Sequence, residues 1–311
     1  MNSEFFSAYS SLICPHTEQH AKKTNIISRL AILFIILCFH SPIAISTNYY
    51  LEEQISRTLQ KEVDQKEIVW LESDDSPKSL ALFKESQGID EVGSVLILAD
   101  LNHHPDWPHI IQPLRIDLAN HGWNTLSPQM PVKEKQASPI QLDKIYKIAE
   151  KRIKSAIDYL KNNKNPNIVI IGQRQSANIV IKYLIENKED SEKVTALVTI
   201  SSFDSPWINS SELIRELPIP YLDIYAQNDT SEVLISAPKR LTAAKFAGQK
   251  IEKEPKLTLS PKVQQLAKNK TGNLHFRQAQ INGAKSGFSQ HQDTVFKTIR
   301  GWLKNYEKRD K

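Results

Sequence analysis

The chain has 311 residues, of which 40% are hydrophobic and 24% charged; this is ordinary for a globular protein and excludes disordered and collagen-like classes. Its 40 lysines and arginines only slightly exceed its 35 aspartates and glutamates, so the net charge is +5. Because this charge is spread along the chain rather than gathered in a patch, the sequence argues against a nucleic-acid-binding protein.

The N-terminal segment, residues 1–46, has the pattern of an export signal. Three basic residues precede an apolar run at residues 30–39, which is shorter than the about 20 residues that span a bilayer. A Ser-Pro pair and then small residues follow, as at a signal-peptidase site. We therefore expect a signal peptide cleaved after Ser46 and a periplasmic protein. Two alternatives stay open: an inner-membrane anchor formed by residues 26–45, and a buried core helix.

The cysteine content narrows the chemistry of the exported part. Cys14 and Cys38 both lie in the leader, so the mature chain has neither a disulfide nor a cysteine-ligated zinc site. No histidine or carboxylate cluster has workable metal-ligand spacing, and adjacent His103 and His104 do not converge on one ion without other ligands. We expect no metal, no cofactor and a monomer.

The remainder divides into a linker helix at 47–65 and one domain at 66–307. Apolar residues at helical spacing predict the linker helix. In the domain, strand-like runs alternate with amphipathic helical stretches. The predicted strands are residues 67–71, 80–83, 94–99, 123–127, 167–171, 196–201, 221–226 and 276–281. The predicted helices are residues 110–120, 142–161, 177–187, 231–247 and 291–306.

This alternation predicts an α/β fold. Near-continuously apolar strands separated by helices indicate a mostly parallel sheet of about eight strands, covered by helices on both faces. The first two strands have no helix between them, so we expect them to form an antiparallel edge.

A lysine-rich segment at residues 250–273 interrupts the rhythm. It contains two prolines and little apolar content, which predicts a solvated surface insertion. A patch that binds an anionic surface is the alternative.

Functional residues in an open parallel sheet lie in the loops that follow its strands. The segment GQRQSA at residues 172–177 follows one strand and precedes a helix, which is the context of a sharp strand-turn-helix elbow. Asp229 follows a later strand, and the loop NGAKSGF at residues 282–288 follows the last one.

In this order of elements the sequence resembles the α/β-hydrolase superfamily. It is similar, more closely, to a family of exported, uncharacterised α/β-hydrolase-like proteins of Gram-negative bacteria. The resemblance runs from residue 67 to residue 303 and implies a three-layer sandwich. The blocks that carry the closer match are LADLNHHPDWP at 98–108, PLR at 113–115, HGWNTL at 121–126, LDIY at 222–225 and RGWL at 300–303.

The resemblance implies a catalytic triad at Arg174, Asp229 and Ser286, and two of these residues depart from the family pattern. A nucleophile is required where Arg174 stands, and a protonated guanidinium has no lone pair with which to attack. A histidine is required where Ser286 stands, whereas Asp229 suits the acid position. The alternatives are a nucleophile displaced to Ser176 and a histidine supplied by His291.

A binding cleft is what we expect to remain. The loop after the strand at 94–99 brings several polar and aromatic residues toward Arg174 and Asp229. We expect Arg174 either to pair with Asp229 or to clamp an anionic ligand, and His104 with Asp106 either to act as a general base or to form a structural loop. The candidate cleft comprises Asp100, His103, His104, Asp106, Trp107, Gln173, Gln175, Ser176 and His291.

The sequence therefore predicts an exported hydrolase-like protein that binds a small molecule or an envelope protein without catalysis. Contact with a membrane would come only through an uncleaved leader. The alternative function is a hydrolase of esters or acyl groups with a rearranged site, drawing on Asp229 with His104 or His291.

Overall fold

The computed structural model describes residues 47–73, 76–134, 136–163, 167–245 and 276–307. The predicted leader at 1–46 and the lysine-rich segment at 250–273 lie outside these ranges. Among the described helices, none has the length and apolarity needed to cross a membrane.

In the described part of the chain, eight strands form one sheet in the order β1-β2-β4-β3-β5-β6-β7-β8. Strand β2 is antiparallel to β1 and β4, and the other pairings are parallel. The strands are β1 (Ile68–Ser73), β2 (Ser76–Lys84), β3 (Gly93–Leu98), β4 (Trp123–Pro128), β5 (Ile168–Gln173), β6 (Val194–Ile200), β7 (Tyr221–Asn228) and β8 (Phe276–Lys285). The predicted parallel sheet and its antiparallel edge are both confirmed.

Helices cover this sheet on both faces. They are α1 (Tyr49–Glu62), α2 (Ile111–Ala119), α3 (Pro139–Asn162), α4 (Arg174–Glu186), α5 (Lys188–Ser191), α6 (Ser210–Leu213), α7 (Ser231–Lys245) and α8 (Gln292–Glu307). Single 3₁₀ turns lie at Gln65–Glu67 and Ile214–Glu216. The five helices predicted within the domain are present, with ends shifted by a few residues, whereas the one-turn helices α5 and α6 are additional.

Side-chain alternation along the strands divides the core into two layers. In β3, Val95 and Ile97 join a cluster with residues of α2 and α8, while Leu96 and Leu98 point to the other face and join residues of α3 and α4. All four side chains are fully buried. Each contributes about 1.5–3 kcal/mol of burial free energy, so a strand that is apolar on both faces is stable only between two helical layers.

Helix α1 packs against the antiparallel edge of the sheet. Leu59 joins Leu80 and Leu82 of β2 in a small apolar cluster. Near the start of α1, Glu52 Oε2 accepts a hydrogen bond from Arg152 Nη2 of α3 at 2.7 Å, and both side chains are buried. The segment predicted as a linker helix is therefore held to the domain by apolar packing and by a buried ion pair.

Candidate functional site

The turn between β5 and α4 has a strained backbone at Arg174. Its φ is 49°, in the left-handed region that a non-glycine residue rarely adopts. The helix begins at this residue, three positions before the predicted start at residue 177. A Cβ added to Gly172 would lie 2.8 Å from the Cα of Ala177, so only glycine permits this approach of strand and helix. The chain thus forms the sharp elbow that its sequence predicts.

The guanidinium of Arg174 pairs with Asp100, which follows β3. Its Nε lies 3.3 Å from Asp100 Oδ2, and the two side chains are 24% and 14% exposed. The Cζ atom of Arg174 lies 5.1 Å from the ring centroid of Phe203, at cation–π distance. The predicted ion pair between Arg174 and Asp229 is therefore wrong, because Asp100 is the acid within reach.

Asp100 also binds two backbone N–H groups. Its Oδ1 accepts hydrogen bonds from Gln175 N and Leu101 N, each at 3.0 Å. Burial raises the pKa of the Asp100 carboxyl, although the charge of Arg174 and these N–H groups oppose the shift. The backbone N–H of Gln175, the residue after Arg174, is thus already hydrogen-bonded to a carboxylate of the chain itself. Gln173, another predicted cleft residue, is buried and accepts a hydrogen bond from Asp100 N at 3.3 Å.

Ser176 is part of the core rather than of the cleft. Its side chain is fully buried, and its Oγ donates a 2.5 Å hydrogen bond to the carbonyl oxygen of Ala99. This bond ties the first turn of α4 to the end of β3. A hydroxyl without solvent access is not placed to attack a substrate.

Asp229 is held by its own turn and by Ser201 of the loop after β6. Its Oδ2 accepts hydrogen bonds from Ser201 Oγ at 2.6 Å and from Ala226 N at 3.1 Å, and its Oδ1 accepts one from Thr230 N at 2.9 Å. The side chain is buried. Among the residues that the structure describes, no histidine is a hydrogen-bond partner of this carboxylate.

The loop after β3 is braced by Arg115 of α2. Asp106 Oδ1 accepts a 2.7 Å hydrogen bond from Arg115 Nη2, and Asp106 Oδ2 accepts one from Gln112 Nε2 at 2.8 Å. His104 Nδ1 accepts a hydrogen bond from the backbone N–H of Asp106 at 3.2 Å. The His104–Asp106 carboxylate pair that a general base would need is not formed, because the carboxylate faces Arg115.

The same loop contains a stacked pair of rings, His103 and Trp107. His103 stacks on Trp107 with centroids 3.9 Å apart and an interplanar angle of 5°. Burial lowers the pKa of His103, although the nearby charge of Asp100 opposes the shift. Burial likewise lowers the pKa of His104. Both imidazoles therefore favour the neutral form.

In the described part of the chain, neither predicted residue of the last loop is hydrogen-bonded to Asp229. Ser286 is exposed just after β8. His291 immediately precedes α8, and its Nδ1 lies 3.1 Å from the carbonyl oxygen of Ser289. The described contacts therefore place His291 at the start of the helix and do not complete a triad with it.

The larger clefts found on the described surface are not lined by the triad-equivalent residues. Five clefts on the described surface have volumes of 540, 380, 510, 170 and 370 Å³. None of these five is lined by Arg174, Asp229 or Ser286. The 170 Å³ cleft is bordered by Tyr146 and Trp207. Burial raises the pKa of Tyr146, and the charge of Asp100 adds to the shift.

A family model described as "Protein of unknown function (DUF3530)" matches residues 5–146 and 135–265, well over half of the chain. The search of curated protein sequences found no match to this chain.

Solved structures share the fold at low sequence identity. The Pyrococcus furiosus esterase Pf2001 is 14% identical with a TM-score of 0.56, over 76% of this chain and 89% of that one. The dienelactone hydrolase of Anabaena variabilis is also 14% identical with a TM-score of 0.56, over 77% and 96%. A serine hydrolase without a lid from Xanthomonas campestris is 8% identical with a TM-score of 0.53, over 77% and 94%. The chain therefore has the α/β-hydrolase fold.

Proposed function

This chain belongs to the DUF3530 family and has the α/β-hydrolase fold, and from this premise we propose that it is a non-catalytic member of that fold. In the proposal the triad is degenerate, with Arg174 at the nucleophile position and Ser286 at the histidine position. The protein uses the region around the elbow to bind a ligand instead of hydrolysing one.

The observation that carries the proposal is the position of Arg174. It occupies the strained elbow, where a hydrolase holds its nucleophile, and its φ of 49° keeps the geometry of such a turn. A guanidinium is protonated at every relevant pH and offers no lone pair for attack. Losing a triad member costs on the order of 10⁴-fold in rate. In the proposal, the turn therefore keeps the backbone conformation of a nucleophile elbow but does not supply a nucleophile.

Asp100 adds a second obstacle to catalysis. An acyl-transfer enzyme stabilises a developing oxyanion with backbone N–H groups, and losing one such donor costs about 10²–10³-fold. Here the Gln175 N–H already donates to the Asp100 carboxylate at 3.0 Å. A negative charge at this point opposes the approach of an oxyanion.

The test is steady-state hydrolysis of short nitrophenyl esters by the purified full chain. We expect no turnover above that of buffer, and none in a Ser176→Ala variant. Turnover that is abolished by His104→Ala or by His291→Ala would contradict the proposal and establish the rearranged hydrolase in its place. An active serine hydrolase assayed under the same conditions is the positive control for hydrolysis of the esters.

We also propose that the protein is exported through its leader. The support is the apolar run at residues 30–39 behind basic residues. N-terminal sequencing of the protein from the cell envelope checks this: a start at Thr47 is expected, and an intact N-terminus would contradict cleavage.

A further inference from the structure

We propose that the free edge of β1, together with the adjoining side of α3, is a docking site for an extended, uncharged segment of another protein, which adds to the sheet as a further strand. This inference goes beyond the proposed function and does not rest on it, because the residues that line the site do not belong to the elbow.

The first step is the shape of the 540 Å³ cleft, which two elements of the described chain form. It is lined by residues 70–73 of β1 and by residues of α3 between Lys151 and Asn162. Ser73 Oγ and Ser155 Oγ lie 2.9 Å apart and tie the strand to the helix. The lining covers about 10 Å of strand and about 16 Å of helix. The cleft is therefore elongated along β1, and its length matches an extended segment of about three to five residues.

The second step is the backbone edge of β1. This strand stands first in the described sheet and pairs on one side only, with β2. In an antiparallel pair, alternate N–H and C=O groups point away from the partner, so in the described sheet the outer groups of β1 have no strand beside them. An extended peptide supplies complementary groups at the same spacing, which is the physical basis of recognition by strand addition.

The third step is the difference between the two edges of the described sheet. Strand β1 has the sequence IVWLES, without lysine, arginine or proline, and Trp70 at its centre is 46% exposed. Strand β8, at the other edge, contains Arg277 and Lys285 among several polar residues. Charged residues on an edge strand prevent pairing with other chains. The edge at β8 is thus protected against pairing, whereas the edge at β1 is suited to it.

The fourth step is the chemistry that an added strand would meet. Leu71 packs in the core with residues of α3, so Trp70 points to the opposite face of the sheet. A segment beside β1 therefore contacts the cleft with one face and Trp70 with the other, and β-branched side chains suit such cross-strand contacts.

Charges around the cleft are paired within the chain. Lys154 Nζ lies 2.6 Å from Asp158 Oδ2, and Glu72 Oε1 lies 2.6 Å from Lys78 Nζ of β2. Because these charges offset one another, the cleft favours an uncharged segment over a strongly acidic or basic one.

The charge of α3 argues against a second copy of the chain as the occupant. This helix contains five lysines and three acidic residues. Pairing of β1 with β1 of another copy would set the two α3 helices side by side, where their like charges repel. A peptide segment brings no second helix.

The experiment measures the fluorescence anisotropy of a fluorescein-labelled, end-capped peptide of alternating threonine and valine, titrated with the purified full chain. We expect saturable binding. The same peptide with N-methylated peptide bonds should bind at least about 10-fold more weakly, because it cannot donate main-chain hydrogen bonds to β1. No binding of the first peptide, or equal binding of the methylated one, would overturn the inference.

The variant that tests the position is Trp70→Lys, which places a charge on the edge strand. We expect the affinity for the peptide to fall at least about 5-fold. The matched control is Trp207→Lys: Trp207 is 49% exposed on the loop after β6, and the same change there should leave the affinity unaltered. Equal affinity in Trp70→Lys and the unaltered chain would contradict the site.

A second variant, Asp158→Lys, keeps the test independent of Trp70. It makes the cleft cationic at an exposed position of α3. We expect a version of the peptide with glutamate in place of two threonines to gain several-fold in affinity, and no gain would argue against the cleft. Circular dichroism checks that the variants are folded. Sedimentation velocity identifies the other occupant: a dimer of the unaltered chain that Trp70→Lys converts to a monomer would assign this edge to a second copy and overturn the proposal.

Discussion

At the scale of single residues, Asp100 determines the charge and the free hydrogen-bond donors of the elbow. Its carboxylate joins the loop after β3 to the start of α4 through Gln175 N, Leu101 N and Arg174. A short acidic side chain thereby occupies donors that an oxyanion would need and partly neutralises the one cation in the turn. The region consequently has fewer free donors for a negative charge that develops during a reaction.

The histidines of the neighbouring loop predict a pH dependence of stability. Burial lowers the pKa of His104 below its ordinary value of 6.5, so the unfolded chain binds a proton more readily than the folded one. Stability from the neutral form is complete above pH 6.5 and is lost as the pH falls through the lowered value. We expect His104→Asn, which keeps an acceptor for Asp106 N, to lose less free energy of unfolding between pH 7.5 and 5.5 than the unaltered chain does.

Urea unfolding at the two pH values measures this difference, and only the change with pH is compared. His121→Asn is the control, because His121 is exposed at the end of α2. Equal pH dependence in the His104 variant and the unaltered chain would show that this imidazole is not held neutral by burial.

The sequence predicts that Asp100 and Arg174 lie at the same edge of the sheet, but it does not predict that they pair. Asp100 and Arg174 were both predicted there because they follow neighbouring parallel strands, whose carboxyl ends meet at one edge. The pairing of Arg174 with Asp100 instead of Asp229 depends on side-chain direction within the turn. Asp229 is satisfied by Ser201, a hydroxyl on the loop after β6 that no sequence motif marks.

At the scale of elements, packing between β5, α4 and the end of β3 maintains the backbone conformation of the elbow. Gly172 lies against Ala177, and Ser176 bonds to the end of β3, so the turn is held from both sides. These contacts sustain a φ of 49° at Arg174, a conformation that costs on the order of 1 kcal/mol or more. Retention of the shape therefore reports the packing of β5 and α4, and it carries no evidence that a nucleophile is present.

Helix α1 is attached to the domain by the buried ion pair between Glu52 and Arg152. Arg152 is 2% exposed and Glu52 is 9% exposed. Replacing Arg152 by Met leaves the Glu52 carboxylate buried without its cation, which we expect to cost about 3 kcal/mol or more in the free energy of unfolding. Urea unfolding of the full chain measures this cost. The double variant Glu52→Gln with Arg152→Met should recover much of it, because no unpaired charge remains.

The control for this cycle is Arg57→Gln. It breaks an exposed pair on the same helix, and we expect a cost within about 0.5 kcal/mol. A small loss in Arg152→Met, or a double variant as unstable as the single one, would mean that the ion pair does not hold α1.

The strands and long helices were predictable because their apolar patterns are long and regular. The four-residue helices α5 and α6 were not, because one turn carries no periodicity. Helix α4 begins three residues before its predicted start, because the polar residues 173–176 have a loop-like pattern whereas the elbow requires the helix to begin within them.

At the scale of the whole molecule, the fold is shared with an esterase and two other hydrolases at only 8–14% sequence identity. Similarity at this level establishes the arrangement of strands and helices and says nothing about chemistry. The sheet order and the two core layers follow from where apolar residues stand along the chain. The proposed function rests on the loops at the carboxyl edge, which contain Arg174, Asp100 and Ser286.

The most direct test of the central claim is fluorophosphonate labelling of the purified full chain, with any adduct located by mass spectrometry. The reagent forms a covalent bond with an activated serine, whichever position that serine occupies. We predict no adduct under conditions in which an active α/β hydrolase is fully labelled. An adduct on a single serine, lost when that serine is replaced by alanine, would show that the chain has a working nucleophile and would contradict the non-catalytic account.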